Sequence, residues 1–140
     1  MEIFMAGRAT CEFKNIKVYS TEGDTPKLEE QINEMTIRHL LTHTSGIIYG
    51  CGGSDVASMY RATDVGSWET VLGDNMKILA GLPLKFQSGT AFEYSLSIDV
   101  AGYLVEVLSG IPLDKFFKSK IFDPLKMDDT GFYVPEEKHD

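Results

Sequence analysis

The sequence predicts a mainly α-helical chain folded as a single unit. Two observations carry that expectation: apolar residues recur at helical spacing in segment after segment, and the segments open on Thr, Ser or Pro and close on Gly or Pro. At 140 residues with 43% hydrophobic and 11% aromatic content, the chain has the usual size of one domain and can bury a modest core. Its formal net charge of −8 argues against a nucleic-acid or anionic-membrane surface, because both need clustered Lys and Arg to neutralise phosphate. Small-molecule or protein partners are expected instead.

Residues 1–35 read as an irregular lead-in, with an alternating Phe13, Ile16, Val18 stretch and a turn-rich run from Ser20 to Pro26. Met1 to Arg8 is too short and lacks a basic leading segment, so no signal peptide is expected there, and no run of eighteen apolar residues exists. A soluble chain is expected, in a cytoplasmic or an exported protein. Cys11 and Cys51 have neither C-x-x-C spacing nor the company of a disulfide framework and read as ordinary thiols. Thr36 is a good N-cap for a short helix with Ile37, Leu40 and Leu41 on one face, and Gly46 supplies a left-handed stop. Residues 46–66, rich in glycine and small polar residues, read as a long surface loop able to line a site.

Trp68, Val71, Leu72, Met76 and Leu79 predict a second amphipathic helix ending before Pro83. From Leu84 the chain reads as extended, turns at Ser88-Gly89 and delivers Tyr94 to the start of another helix. Ser95 or Ser97 caps that helix, Ile98, Ala101, Val105 and Leu108 form its apolar stripe, and Gly110 closes it. Pro112 then suits the first turn of a helix that faces the core with Leu113, Phe116, Phe117 and Ile121 and is stopped by Asp123-Pro124. The charged tail from Pro135 to Asp140 is expected to fray.

Two stretches are more specific than any single motif. Thr36-Ile37-Arg38-His39-Leu40-Leu41-Thr42-His43-Thr44-Ser45-Gly46 resembles the helix and turn that follow the nucleophile helix in serine β-lactamase-like proteins, the superfamily of penicillin-binding proteins, class C β-lactamases and related esterases. The second runs from Tyr94-Ser95-Leu96 through Asp99-Val100-Ala101-Gly102, Glu106-Val107-Leu108-Ser109-Gly110 and Asp123-Pro124-Leu125-Lys126-Met127 to Asp129-Thr130-Gly131-Phe132. It resembles that family's tyrosine motif and the two helices after it. The resemblance covers residues 12 to 134, with 36–134 as its helical part. It implies the helical subdomain of the α/β β-lactamase/DD-peptidase-like fold, the α/β sheet part being largely absent, so that residues 1–140 form a single partial domain.

In that family an S-x-x-K motif supplies a nucleophilic serine and a lysine, and a tyrosine opens a Y-x-N or Y-S-x motif. The resemblance makes Tyr94 that tyrosine. No serine here has a lysine three positions later, and nothing after Thr130 resembles the late strand that carries the oxyanion donor. Leu96 stands where the lactamase type has Asn, and a leucine offers no amide to a substrate or a lysine, which leans towards the esterase branch. Ser88 and Lys126 replace a proline and a glycine of the pattern, as turn changes away from the chemistry.

A phenol with an ordinary pKa near 10 becomes a base only where positive charge stabilises the phenolate. The resemblance implies that a lysine supplies that charge, and that the complete enzyme attacks a small-molecule ester or amide through an acyl-enzyme, with no cofactor. The chain alone is expected to be inactive, and to self-associate through the apolar surface its partner segments would cover. The alternative is a non-catalytic binding or oligomerisation module. His39 and His43, four apart, would share a helix face as zinc ligands do, but Leu40 holds the place of the general base and no third ligand is evident, so no metal is expected. His43 with Ser45 lacks an orienting third group for a hydrolytic dyad; His43, Thr44 and Ser45 are expected to satisfy free backbone groups at the helix end. Asp128 and Asp129 read as a solvated turn, and Lys115, Lys118 and Lys120 as a solvated helix face.

Overall fold

The computed structural model of the chain describes residues 13, 15–21, 25–67 and 69–139. The described part is mostly helical, with one small sheet. The described part of the lead-in is more ordered than its composition suggests. Strand β1 (Val18–Ser20) pairs antiparallel with β2 (Lys27–Glu29), Val18 opposite Glu29 and Tyr19 opposite Leu28. A parallel bridge joins Val18 to Leu84, with the Tyr19 amide donating to the Leu84 carbonyl at 2.8 Å and the Leu84 amide to the Lys17 carbonyl at 2.8 Å. The alternation of Ile16 and Val18 buries both side chains, which is what a period of two does when one face meets a core.

Helix α1 (Ile37–Leu41) opens on a capping box. The Thr36 hydroxyl accepts the His39 amide at 3.2 Å, and His39 Nδ1 accepts the Thr36 amide at 3.3 Å, histidine doing the work of the usual glutamate. Leu40 is fully buried and Ile37 packs beside the core, but Leu41 is exposed, not on the buried face as expected. The left-handed stop is His43, with φ 53°, three residues earlier than Gly46. The His43 amide donates to the Leu40 carbonyl (3.2 Å) and the Thr44 amide to the His39 carbonyl (2.8 Å), the pair of bonds that satisfies a helix C-terminus in a Schellman motif.

The expected loop at 46–66 contains a helix, α2 (Asp55–Arg61), capped by Ser54, whose hydroxyl accepts the Ala57 amide at 3.2 Å. It buries Val56, Ala57 and Tyr60; the glycines before it hid this short apolar pattern. Helix α3 (Leu72–Ala80) buries Met76 and Leu79. Val71 is its N-cap and exposed, so it leaves the predicted stripe, and Trp68 lies outside the described residues. Asn75 is buried and ties the preceding turn, accepting the Gly66 amide at 3.0 Å and donating to the Thr70 carbonyl at 3.2 Å.

Helix α4 (Ser97–Ser109) ends at Gly110 in the left-handed conformation, as its sequence predicts. Its start and phase differ from expectation. Leu96 is the N-cap, without a side-chain cap bond, and the buried residues are Ser97, Val100 and Leu104, with Tyr103 and Val107 packed alongside. Of the predicted stripe, Ile98 and Leu108 are exposed and Ala101 and Val105 only half-buried. The helix has apolar residues on more than one face, and tertiary packing chooses among them.

Helix α5 (Leu113–Phe117) does not stop at Asp123-Pro124. It runs through a π-helical turn at Lys118–Phe122 into α6 (Asp123–Leu125), where Pro124 falls in the first turn, and the chain leaves the helix at Lys126, φ 55°. Leu113, Phe116, Phe117 and Ile121 are half-buried and lie outside the main core. Phe117 instead centres an aromatic group with Phe116, Phe122 and Phe132 at ring distances of 6.4, 5.9 and 5.8 Å. The described part of the tail is also more ordered than expected: Glu136–Lys138 form a 3-10 turn, Lys138 pairs with Asp129, and the His139 ring bonds the Val134 carbonyl at 2.9 Å. The core gathers Leu40, Ile47, Ile48, Tyr60, Met76, Leu79, Leu84 and Val100. No helix among the described residues is long and apolar enough to cross a membrane.

Candidate functional site around Tyr94

The turn after α1 and the connection leading to Tyr94 are joined along their backbones. The Lys85 amide donates to the Gly46 carbonyl (2.8 Å), the Gly89 amide to the Thr44 carbonyl (2.7 Å) and the Glu93 amide to the His43 carbonyl (2.9 Å). The buried Ser88 hydroxyl adds a bond to the Ser45 carbonyl at 2.8 Å. The first stretch that carries the sequence resemblance is thereby joined to the connection that leads into the second. Groups about forty to fifty residues apart satisfy one another's backbone, as buried polar groups require.

This pairing brings Tyr94 against His43, with ring centroids 4.5 Å apart and planes tilted by 38°. Tyr49 packs at 5.7 Å from the Tyr94 ring, and Phe92 meets the His43 ring edge-on at 6.1 Å. Tyr94 is still 65% exposed, so the neighbours hold its ring while most of the residue faces solvent. Tyr49 comes from the glycine-rich loop, which Arg61 ties down by donating to the Gly50 and Gly52 carbonyls at 2.5 and 2.7 Å.

Beneath the aromatic group lies a chain of buried hydroxyls. Ser95 and Ser45 each lie 2.7 Å, oxygen to oxygen, from Ser97 Oγ, and all three serines are at most 1% exposed. The Ser45 hydroxyl also accepts the Ile47 amide at 3.1 Å, and Ser95 Oγ accepts the Ser97 amide at 3.3 Å. His43 Nδ1 accepts the Ser95 amide at 3.2 Å. Such a bond requires Nδ1 to carry no proton, placing the neutral ring's N–H on Nε2.

Local electrostatics favour neutral forms. Loss of solvent is the main reason the Tyr49 phenol is pushed above its ordinary value, with the neighbouring Asp99 and Tyr94 adding to it. Desolvation likewise raises the Asp99 carboxyl. The nearby Lys85 ammonium is already paired with Glu93. A phenol acting as a base here needs a positive charge brought from another segment.

Other sequence candidates fall elsewhere. His39 and His43 do not share a helix face, because His43 has left the helix; His39 spends Nδ1 on the cap. Ser45 is buried with its hydroxyl on Ser97, leaving no exposed dyad with His43. The His43 and Thr44 amides do close the helix end, whereas the His43 ring and the Ser45 hydroxyl serve partners some fifty residues on. Asp128 and Asp129 are exposed, and the Lys138 ammonium holds the Asp129 carboxyl below its ordinary value. Lys115 and Lys118 pair with Asp114 and Asp123, and Lys120 is exposed. Sequence reasoning missed Tyr49 and the grip of His43 on Ser95. The loop's glycine content marked the region of Tyr49, but no local signal pointed from His43 to a residue fifty positions away.

Residues 25–140 match the protein family described as Beta-lactamase. Esterase EstB of Burkholderia gladioli is 38% identical over 107 residues, covering 73% of this chain and 27% of the esterase. A lovastatin esterase of Penicillium rubens is 33% identical over 113 residues, covering 81% of this chain and 28% of that protein. Among solved structures, EstCE1, a hydrolase with promiscuous acyltransferase activity, superposes with a TM-score of 0.65 at 33% identity, over 75% of this chain and 28% of that one. Simvastatin synthase from Aspergillus terreus superposes at 0.64 with 27% identity, over 85% and 29% respectively. The chain thus spans less than a third of the length of each of these relatives.

Proposed function

Because the chain belongs to the beta-lactamase family, we propose that it is the helical, tyrosine-bearing portion of a serine hydrolase that works through an acyl-enzyme on a small-molecule ester or amide. The observation that carries this reading is Tyr94 itself: its ring is packed on His43 and Tyr49 while 65% of the residue remains exposed. An ordinary core tyrosine buries its hydroxyl against a partner, because an unpaired buried hydroxyl is costly. Tyr60 does so in this chain, donating to the Pro83 carbonyl at 3.1 Å. In the proposed enzyme a lysine from an S-x-x-K segment stabilises the Tyr94 phenolate, and the pair takes the serine proton during acylation and returns one to the leaving group.

The esterase branch is favoured over the lactamase branch. Leu96 is buried in the core at the position where an amide would serve a lactam substrate, and the similar proteins named above are esterases and acyltransferases. No S-x-x-K motif occurs in these 140 residues, so the chain by itself should turn over neither esters nor β-lactams and should take no fluorophosphonate label. A second reading, a binding or self-associating module, draws on the exposed Leu108, Leu125, Phe132 and Tyr133.

The experiment joins this chain to the serine–lysine segment and closing strand of an esterase relative and compares the product with its Tyr94→Phe variant. Folding should be nearly unchanged while kcat falls by roughly two to four orders of magnitude, the range for a general base. An unaltered kcat would remove Tyr94 from the chemistry. Saturable turnover by the 140-residue chain alone, mapped to one of its own serines, would overturn the reading altogether.

A further inference from the structure

We infer that His43 is a positioning residue for Tyr94, one that grips the tyrosine from both sides along the chain and from beneath its ring. The inference rests on the reading of Tyr94 as the base. Three contacts of a single residue bracket it. The His43 carbonyl accepts the Glu93 amide at 2.9 Å, His43 Nδ1 accepts the Ser95 amide at 3.2 Å, and the imidazole lies 4.5 Å from the Tyr94 ring. Residues 93, 94 and 95 are thus all held by one side chain and its own backbone.

The backbone at His43 supports a role for the ring beyond ending the helix. Its φ of 53° is left-handed, a conformation uncommon for residues with a β-carbon and one that glycine or asparagine adopts more readily at a helix end. Either would close α1, but neither could pack a ring under Tyr94. The left-handed turn swings the imidazole off the helix and towards the second stretch, and Phe92 meets its edge at 6.1 Å. Ser95, the far anchor, is itself fixed through Ser97 to Ser45 by the buried hydroxyl chain. A general base has to be held within a fraction of an ångström of its working position, and a displacement of about 1 Å costs on the order of a hundredfold in rate.

Two variants compatible with the left-handed backbone separate the contacts: His43→Gly removes both the ring and the acceptor, and His43→Asn returns an acceptor without the ring. The first readout uses the 140-residue chain, with Ser95 amide exchange followed by NMR and fluorotyrosine placed at position 94. With Val100 exchange as the reference for the whole fold, His43→Gly should speed Ser95 exchange roughly five- to tenfold and move the fluorine signal towards that of free fluorotyrosine. His43→Asn should restore Ser95 protection but leave the fluorine signal displaced. Unchanged exchange and an unchanged fluorine signal in His43→Gly would overturn the grip.

The second readout uses the chain joined to a serine–lysine segment. There kcat should fall about a hundredfold in His43→Gly and about tenfold in His43→Asn, with KM within about threefold, and neither substitution should lower it further in a Tyr94→Phe background. A full kcat alongside a displaced fluorine signal would overturn the positioning role. If Tyr94→Phe alone leaves kcat intact, the base reading fails and the positioning role with it, while the exchange and fluorine series still decide whether His43 holds residues 93 to 95.

Discussion

Gly46 and Gly52 have the same backbone φ, +91°, in very different surroundings. A β-carbon at Gly46 would stand 2.4 Å from the Phe86 carbonyl oxygen and 3.0 Å from Leu84 Cβ, whereas one at Gly52 would meet nothing within 4 Å. Alanine at either site carries the left-handed penalty of about 1–2 kcal/mol. Only at Gly46 must backbone also move, which adds about 1–3 kcal/mol of overpacking. Gly46→Ala is therefore expected to cost about 2–5 kcal/mol and Gly52→Ala about 1–2 kcal/mol. The atoms that clash belong to the connection that carries Tyr94, whose Lys85 amide bonds the Gly46 carbonyl, so the larger loss should come with displacement of Tyr94. Urea unfolding followed by circular dichroism measures both variants against the parent chain. Equal losses at the two glycines, within about 0.5 kcal/mol, would refute the claim that close approach of the two stretches, and not backbone conformation alone, demands glycine at 46.

Burial pushes the Tyr60 phenol well above its ordinary value near 10, so above pH ~10 the unfolded chain releases a proton that the folded chain keeps. Stability should then fall with rising pH by up to about 1.4 kcal/mol per unit from this residue. Tyr60→Phe should cost about 1 kcal/mol at neutral pH, through loss of the Pro83 bond, and show a shallower alkaline decline; the same slope in both proteins would exclude Tyr60 as its source. Ser97→Ala removes the shared partner of two buried hydroxyls and should destabilise by about 1–3 kcal/mol, with a cost near zero in denaturant melts showing that the serine chain is dispensable. The exposed Ile98, Leu108, Leu125, Phe132 and Tyr133 should drive the isolated chain into dimers or larger species, and light scattering that finds only monomer at every concentration would contradict this.

Much of the local structure was legible from the residues. Thr36 as a cap, Gly110 as a stop, the turn at Ser88-Gly89 and the delivery of Tyr94 to the next helix all rest on short-range chemistry, in which a residue and its neighbours within one turn decide the outcome. The two stretches resembling the serine β-lactamase-like proteins pointed to Tyr94 by their order and spacing. Three features depended on partners far along the chain. Helix α4 has apolar residues on more than one face, so its buried face of Val100 and Leu104 was chosen by what packed against it. The hairpin of β1 and β2 is anchored by bonds from Tyr19 and Lys17 to Leu84, more than sixty residues away. The left-handed His43 is held by bonds and ring contacts to residues 92 to 95 that no local pattern encodes. Sequence by itself determined the cap at Thr36, the stop at Gly110 and the place of a tyrosine at the entrance to α4, because those choices are settled within a few residues. Only the tertiary structure decided which faces are buried and which side chain grips that tyrosine, because both are settled by contacts that exist only once segments some fifty residues apart have met.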